Sequence, residues 1–174
     1  LALYYLTALL VLAVDQLTKH GVLFYVSQRG ILPQEYITSG KNILDLSYAF
    51  NPGAAFSIFP YQQKMLIVIT LAAISAIVFY LYNSKDRRLM IRLSLALITG
   101  GALGNLVDRI HYGVVIDFLD LHWREVYHWP TFNLADVAIC VGVGLMILHT
   151  VRASFEIDKK TTGAEENKNL DLNR

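Results

Sequence analysis

The sequence predicts a mainly α membrane protein: four transmembrane helices, a small extracytoplasmic antiparallel β-sheet and an outer aromatic loop. Three observations carry that expectation. Of 174 residues, 55% are hydrophobic and only 17% charged, too apolar for an ordinary soluble domain and short enough for one domain. Four apolar segments, Leu1–Val14, Met65–Ser84, Leu93–Val107 and Val137–Val151, reach membrane-spanning length once their polar ends extend into the interface. The remaining charges gather in loops and at the chain's end, so the net charge of +1 says little about partners, and no basic face points to nucleic acid.

Taken in order, the first helix is expected over about 1–19. It has no basic stretch before it and no small-x-small cleavage site, so it is expected to stay in place rather than be removed as a signal peptide. An outer β region follows over about 21–60. Gly21–Thr38 and Ile43–Phe50 are rich in Ile, Leu, Tyr and Phe, broken by Ile31-Leu32-Pro33 and Ser39-Gly40 and closed by the turn Asn51-Pro52-Gly53. Ala54–Phe59 is expected to re-enter the interface. The second helix is expected at 63–83 and the third at 89–109, with Arg88 and Arg92 snorkelling at its start. An outer loop over 110–132 carries Trp123, Tyr127, Trp129 and Phe132, residue types that settle at headgroup level. The fourth helix is expected at 133–152. Residues 1–157 form one membrane domain, and the polar segment 158–174 reads as a disordered tail.

Lys and Arg set the orientation. Lys85, Arg87, Arg88 and Arg92 crowd one short loop, and Arg152, Lys159 and Lys160 follow the last helix; the long connections Lys19–Lys64 and His111–Phe132 are sparse in basic residues. Both chain ends and the short basic loop are therefore expected in the cytoplasm, with the two long connections outside.

Polar residues at the outer helix ends then stand out. A carboxylate at a helix centre costs about 2.5–3.5 kcal/mol on insertion scales, so several within one short span call for a reason. Asp15 and Lys19 are spaced for an i,i+4 ion pair; they either make the helix end tolerable, or brace a site or contact a headgroup. Asn105, Asp108 and Arg109 close the third helix, after a Gly100–Gly104 pair suited to close helix packing. Asp108 and Arg109 suit a structural ion pair, or an Arg holding a substrate carbonyl or lipid headgroup. If Asn133 caps the fourth helix, Asp136 stands at N3 and completes a capping box, where the helix N-terminus favours the ionised form. Asp117 has no such structural role: it interrupts the apolar run Val114-Val115-Ile116, and desolvation favours its neutral form. An ionised carboxylate beside a protonated one is the arrangement with which acid proteases activate water.

Other chemistries find no pattern. His20, His111, His122, His128 and His149 form no HExxH and no ligand spacing on a helix face, so no metal is expected. There is no G-x-S-x-G elbow. Cys140 is the only cysteine and is expected to be packing. A small proton-coupled transporter could use the same carboxylates, but it would place acids at several depths and show repeat symmetry. A non-catalytic membrane scaffold would leave the two carboxylates around the aromatic loop unexplained.

Five blocks, Asp15-x-x-x-Lys19, Asn51-x-Gly53-Ala54-Ala55-Phe56, Gly104-Asn105-x-x-Asp108-Arg109, Gly113-x-Val115-Ile116-Asp117-Phe118 and Phe132-Asn133-x-Ala135-Asp136, together resemble lipoprotein signal peptidase (signal peptidase II), in that family's order and over nearly the whole chain except the tail. The resemblance implies an aspartyl endopeptidase of the bacterial inner membrane. Its substrates would be prolipoproteins carrying a diacylglyceryl cysteine, cut just before that cysteine. It implies Asp117 and Asp136 as the catalytic pair, and Asp15, Lys19, Asn51, Gly53, Asn105, Asp108, Arg109 and Asn133 as substrate-binding or site-supporting positions. It further implies no cofactor, an active site near the outer face, contact with membrane lipid, inhibition by globomycin-type cyclic peptides, and a monomer.

Overall fold

The computed structural model describes residues 2–37, 43–53, 59–84, 88–123 and 127–172. The breakers Ser39 and Gly40, the Ala54, Ala55 and Phe56 part of the second block, Lys85 and Arg87 of the basic loop, and Arg124 lie outside the described residues. Among the described residues, four helices are long and apolar enough to cross a membrane: α1 (Ala2–Arg29), α2 (Gln63–Asn83), α3 (Leu89–His111) and the Leu134–Phe155 part of α4 (Leu134–Leu172). Between them run β1 (Glu35–Tyr36), β2 (Leu44–Asn51), β3 (Val115–Trp123) and β4 (Tyr127–His128).

Helix α3 is central. Half of its apolar window is buried within the protein, against 6% for α2, which stands at the periphery. Glycines let the backbones close in: a Cβ on Gly100 would strike the Ala8 carbonyl and Val11 of α1, and one on Gly101 would strike the Ala135 carbonyl of α4. Tyr4, Ala8, Leu95 and Ala96 fill the space between α1 and α3, and the Tyr4 hydroxyl donates to Thr99 Oγ1 at 2.9 Å inside it. Leu6, Leu9, Leu10, Leu17, Val68, Ile69 and Phe79 face outward, as lipid-facing residues should.

The bounds of α2 agree with the sequence expectation, and three others move. Helix α1 continues through Gly21 to Arg29, where strand had been expected. Its apolar residues there recur at helical spacing: Val26 is buried with Tyr48 and Ile116, and Val22, Leu23 and Tyr25 pack around them. Arg29 lies over the Tyr25 ring, 4.4 Å from its centroid. Gly30 then stops the helix with φ +65°, and the Ile31 N–H returns to the Val26 carbonyl at 3.1 Å.

The sheet is the second correction. It draws on both long connections, in the order β1-β2-β3-β4, all pairs antiparallel. The segment read as an aromatic loop therefore holds the nine-residue strand β3. Its partner is β2, with Leu44 opposite Leu121, Leu46 opposite Leu119 and Ala49 opposite Asp117, across a bulge between Leu46 and Ala49. Leucines and a β-branched start give β3 strand character that the neighbouring aromatics obscured.

Third, the backbone of α4 stays helical to Leu172, through residues expected as a disordered tail. That segment is polar but contains no proline, and its Ala, Glu, Lys and Leu are strong helix formers that extend a helix already nucleated in the bundle.

Candidate active site

Asp117 sits in β3 and is 1% exposed. Two side-chain amides serve it: Asn51 Nδ2 donates to Oδ2 at 3.1 Å, and Asn133 Nδ2 to Oδ1 at 2.7 Å. Each amide is turned that way by a backbone N–H. Asn51 Oδ1 accepts from Gly53 at 2.9 Å, and Asn133 Oδ1 from Asp136 at 2.9 Å, which leaves only N–H groups to face the carboxylate. Burial, and then the negative charge of Asp136, push the Asp117 carboxyl up to about 7; the two amides and the Lys19 charge oppose that rise.

Asp136 lies in the first turn of α4. The capping box expected from sequence is present. The Asn133 N–H donates to Asp136 Oδ2 at 3.2 Å while the Asp136 N–H donates to Asn133 Oδ1. Asp136 Oδ1 accepts from Asn105 Nδ2 at 2.8 Å. Asn133, fully buried, thus touches both carboxylates, and all four carboxylate oxygens of the two aspartates receive a fixed donor.

Behind the pair lies a buried ionic cluster. Lys19 Nζ, 1% exposed, contacts Asp15 Oδ2 at 2.9 Å and Asp108 Oδ2 at 2.8 Å, and donates to Asn105 Oδ1 at 3.1 Å. The i,i+4 pair read from sequence exists, but it reaches well beyond α1: Asp15 Oδ1 accepts the Ala135 N–H of α4 at 3.0 Å, and Asp108 Oδ2 accepts the Ile116 N–H of β3 at 3.1 Å. Gly104 makes room, since a Cβ there would collide with the Asp15 carboxylate and crowd Ala135.

Asp108 and Arg109 do not pair with each other. Neighbours on a helix point about 100° apart, so Asp108 meets Lys19 while Arg109 Nη2 donates to the Gly53 carbonyl at 3.0 Å and Nη1 to the Asn105 carbonyl at 3.3 Å. That holds the Asn51–Gly53 turn against α3. The structure therefore brings together Asp15, Lys19, Asn51, Gly53, Asn105, Asp108, Arg109, Asp117, Asn133 and Asp136.

Sequence reasoning missed Gln16, whose Nε2 donates to Asp108 Oδ1 at 2.9 Å, to the Gly104 carbonyl at 3.1 Å and to Asp15 Oδ2 at 3.2 Å. A polar amide beside Asp15 in an otherwise apolar helix was the available sign. A second buried polar group occupies the sheet: His122 Nε2 is 3.5 Å from Asp45 Oδ2, and Nδ1 is 3.9 Å from Asp120 Oδ2. Among the described residues no group of His, Cys, Asp and Glu is arranged to hold a metal ion.

Two aspartates joined through one asparagine, one on β3 and one in the first turn of α4, narrow the comparison with known proteins. The family model for signal peptidase (SPase) II matches residues 7–152. The chain belongs to the signal peptidase II family. The lipoprotein signal peptidase of Syntrophotalea carbinolica is 42% identical over 146 residues, 82% of this chain and 87% of that protein. The lipoprotein signal peptidase of Moorella thermoacetica is 45% identical over 141 residues, 80% and 87% of the two chains. A bacterial membrane enzyme solved by the in meso method at 2.3 Å resolution superposes with a TM-score of 0.76 at 27% identity, over 88% of this chain and 90% of that one. As a signal peptidase II family member the chain is a multi-pass membrane protease, a hydrolase of peptide bonds.

Proposed function

We propose that this protein removes signal peptides from prolipoproteins carrying a diacylglyceryl cysteine, cutting the bond just before that cysteine with an aspartate pair. The observation that carries the reading is the junction at Asn133, which hydrogen-bonds Asp117 and Asp136 together at the mouth of the bundle. Burial and the Asp136 charge raise the Asp117 carboxyl to about 7, which favours Asp117 as the protonated partner of the pair. Asp136 takes a proton from water, and the resulting hydroxide attacks the scissile carbonyl. The Asp117 O–H donates to the carbonyl oxygen as negative charge develops there. Asp136 then passes its proton to the leaving amine, and the C–N bond breaks. Asn51, Asn105 and Asn133 hold the carboxylates without adding charge.

The surroundings suit a lipidated peptide. Residues 117, 119 and 121 share one face of β3, and the cross-strand pairs Leu44–Leu121 and Leu46–Leu119 lay an apolar track toward Asp117. The acyl chains stay in lipid beside the exposed apolar helix faces, and the signal peptide lies along the bundle. The density of basic residues in the short loop and after the last helix supports an orientation with both ends in the cytoplasm; on that reading the sheet and the pair stand at the outer face of a bacterial inner membrane. Detergent-purified protein should release the signal peptide from a diacylglyceryl-modified precursor, with mass spectrometry placing the new N-terminus at the modified cysteine. Equal cleavage of an unlipidated precursor, or a cut elsewhere, would contradict the substrate assignment.

A further inference from the structure

The two catalytic candidates come from different elements, and their backbones are gauged by one buried ammonium. The residue before each aspartate gives its N–H to a carboxylate: Ala135, before Asp136, to Asp15 at 3.0 Å, and Ile116, before Asp117, to Asp108 at 3.1 Å. Both of those carboxylates turn an Oδ2 to Lys19 Nζ, at 2.9 and 2.8 Å. The third contact of Lys19 is Asn105 Oδ1 at 3.1 Å. An ammonium has three donors and no acceptor, so it fixes which end of the Asn105 amide faces it. The other end, Nδ2, is left to donate to Asp136 Oδ1 at 2.8 Å.

We infer that Lys19 is a positioning residue for the aspartate pair, setting the separation of β3 and α4 through Asp108 and Asp15 and the orientation of the amide that serves Asp136. The inference rests on the proposal that Asp117 and Asp136 do the chemistry. Lys19 reaches the pair through Asp15, Asp108 and Asn105. The charged groups facing Lys19 are Asp15 on its own helix and Asp108 on α3. Around the pair itself stand Arg109 on α3, whose charge interacts with Asp117 and Asp136, and the Lys19 charge, which favours the ionised form of Asp117. Gln16 joins the same frame through Asp15, Asp108 and the Gly104 carbonyl. A lysine retained only to neutralise buried carboxylates would need no third bond to Asn105, and its loss would be made good by removing one carboxylate.

That contrast supplies the test. Lys19→Met and the charge-compensated double variant Asp15→Asn/Lys19→Met are purified beside Asp117→Asn. Thermal stability, kcat, KM and the pH profile of kcat/KM are measured on a lipidated precursor. Lys19→Met is expected to lower kcat by on the order of tenfold or more with KM within roughly twofold. Its alkaline limb, set by Asp117, should move to higher pH, because removing the Lys19 charge favours the protonated form of Asp117. The double variant restores the cluster's charge and should recover stability while kcat stays low. Recovery of kcat together with stability would reduce Lys19 to charge balance and overturn the inference. An unmoved alkaline limb in Lys19→Met would do the same. If neither variant folds, Lys19 is a folding residue and the positioning role falls. Turnover by Asp117→Asn is a separate outcome, which removes the aspartate pair itself.

Discussion

The side-chain amide of Asn133 reaches Asp117 Oδ1 at 2.7 Å, and the same residue caps the helix that carries Asp136. One asparagine therefore fixes the distance between two carboxylates from different elements. It also keeps the Asp136 charge close enough to raise the Asp117 carboxyl.

A pH profile follows from that coupling. Burial and the Asp136 charge hold the Asp117 proton until about 7. Above that value the pair carries two negative charges and no proton for the scissile carbonyl. The kcat/KM of the free enzyme should therefore fall as pH rises through roughly 7. Stability moves the same way: a carboxyl whose folded-state pKa is raised contributes stability below its unfolded value and loses it as pH rises through about 7. Thermal unfolding of wild-type protein and Asp117→Asn across that range checks this. The stability difference should shift in favour of the asparagine variant as pH rises.

Gly104→Ala should be harmful out of proportion to its size. The added methyl would collide with the Asp15 carboxylate and press on Ala135. Overpacking of this kind costs about 1–3 kcal/mol, and here the displaced group also holds α4. Thermal stability and turnover should both drop, whereas Gly144→Ala, where a Cβ meets nothing within 4 Å, should leave both near wild type.

Asp15→Asn is expected to lower stability and substrate binding without removing turnover. Asparagine keeps an acceptor for the Ala135 N–H but loses the charge that Lys19 meets at 2.9 Å. A variant that was fully stable, bound substrate normally and had no turnover would place Asp15 among the proton-transferring groups.

Topology has its own check. A cysteine at Ser84, the C-cap of α2, in a background lacking Cys140, should resist an impermeant thiol reagent added outside intact cells. Strong labelling would reverse the orientation, and with it the side on which the pair stands.

The sequence made some of this legible and hid the rest for physical reasons. An uninterrupted apolar run located α2, and the spacing of Asn133 and Asp136 announced a capping box that the hydrogen bonds contain. Asp117 stood out because a carboxylate in an apolar run has no local partner. The end of α1 was obscured because Val22, Tyr25 and Val26 suit a strand as well as a helix packed on Tyr48 and Ile116. Register between β2 and β3 is a long-range property, so nothing local announced that Ala49 would lie opposite Asp117. The bonds from Asp15 to Ala135 and from Asp108 to Ile116 use backbone N–H groups, which every residue but proline carries and no motif can mark.

The pair itself is tested most directly by substituting it. Asp117→Asn, Asp136→Asn and the double variant should each fold and bind a globomycin-type inhibitor about as well as wild type. All three should fail to cleave a lipidated precursor, the double variant hardly worse than either single one, since the two residues act as a unit. Near-normal turnover by either single variant on that precursor would contradict the aspartate-pair mechanism.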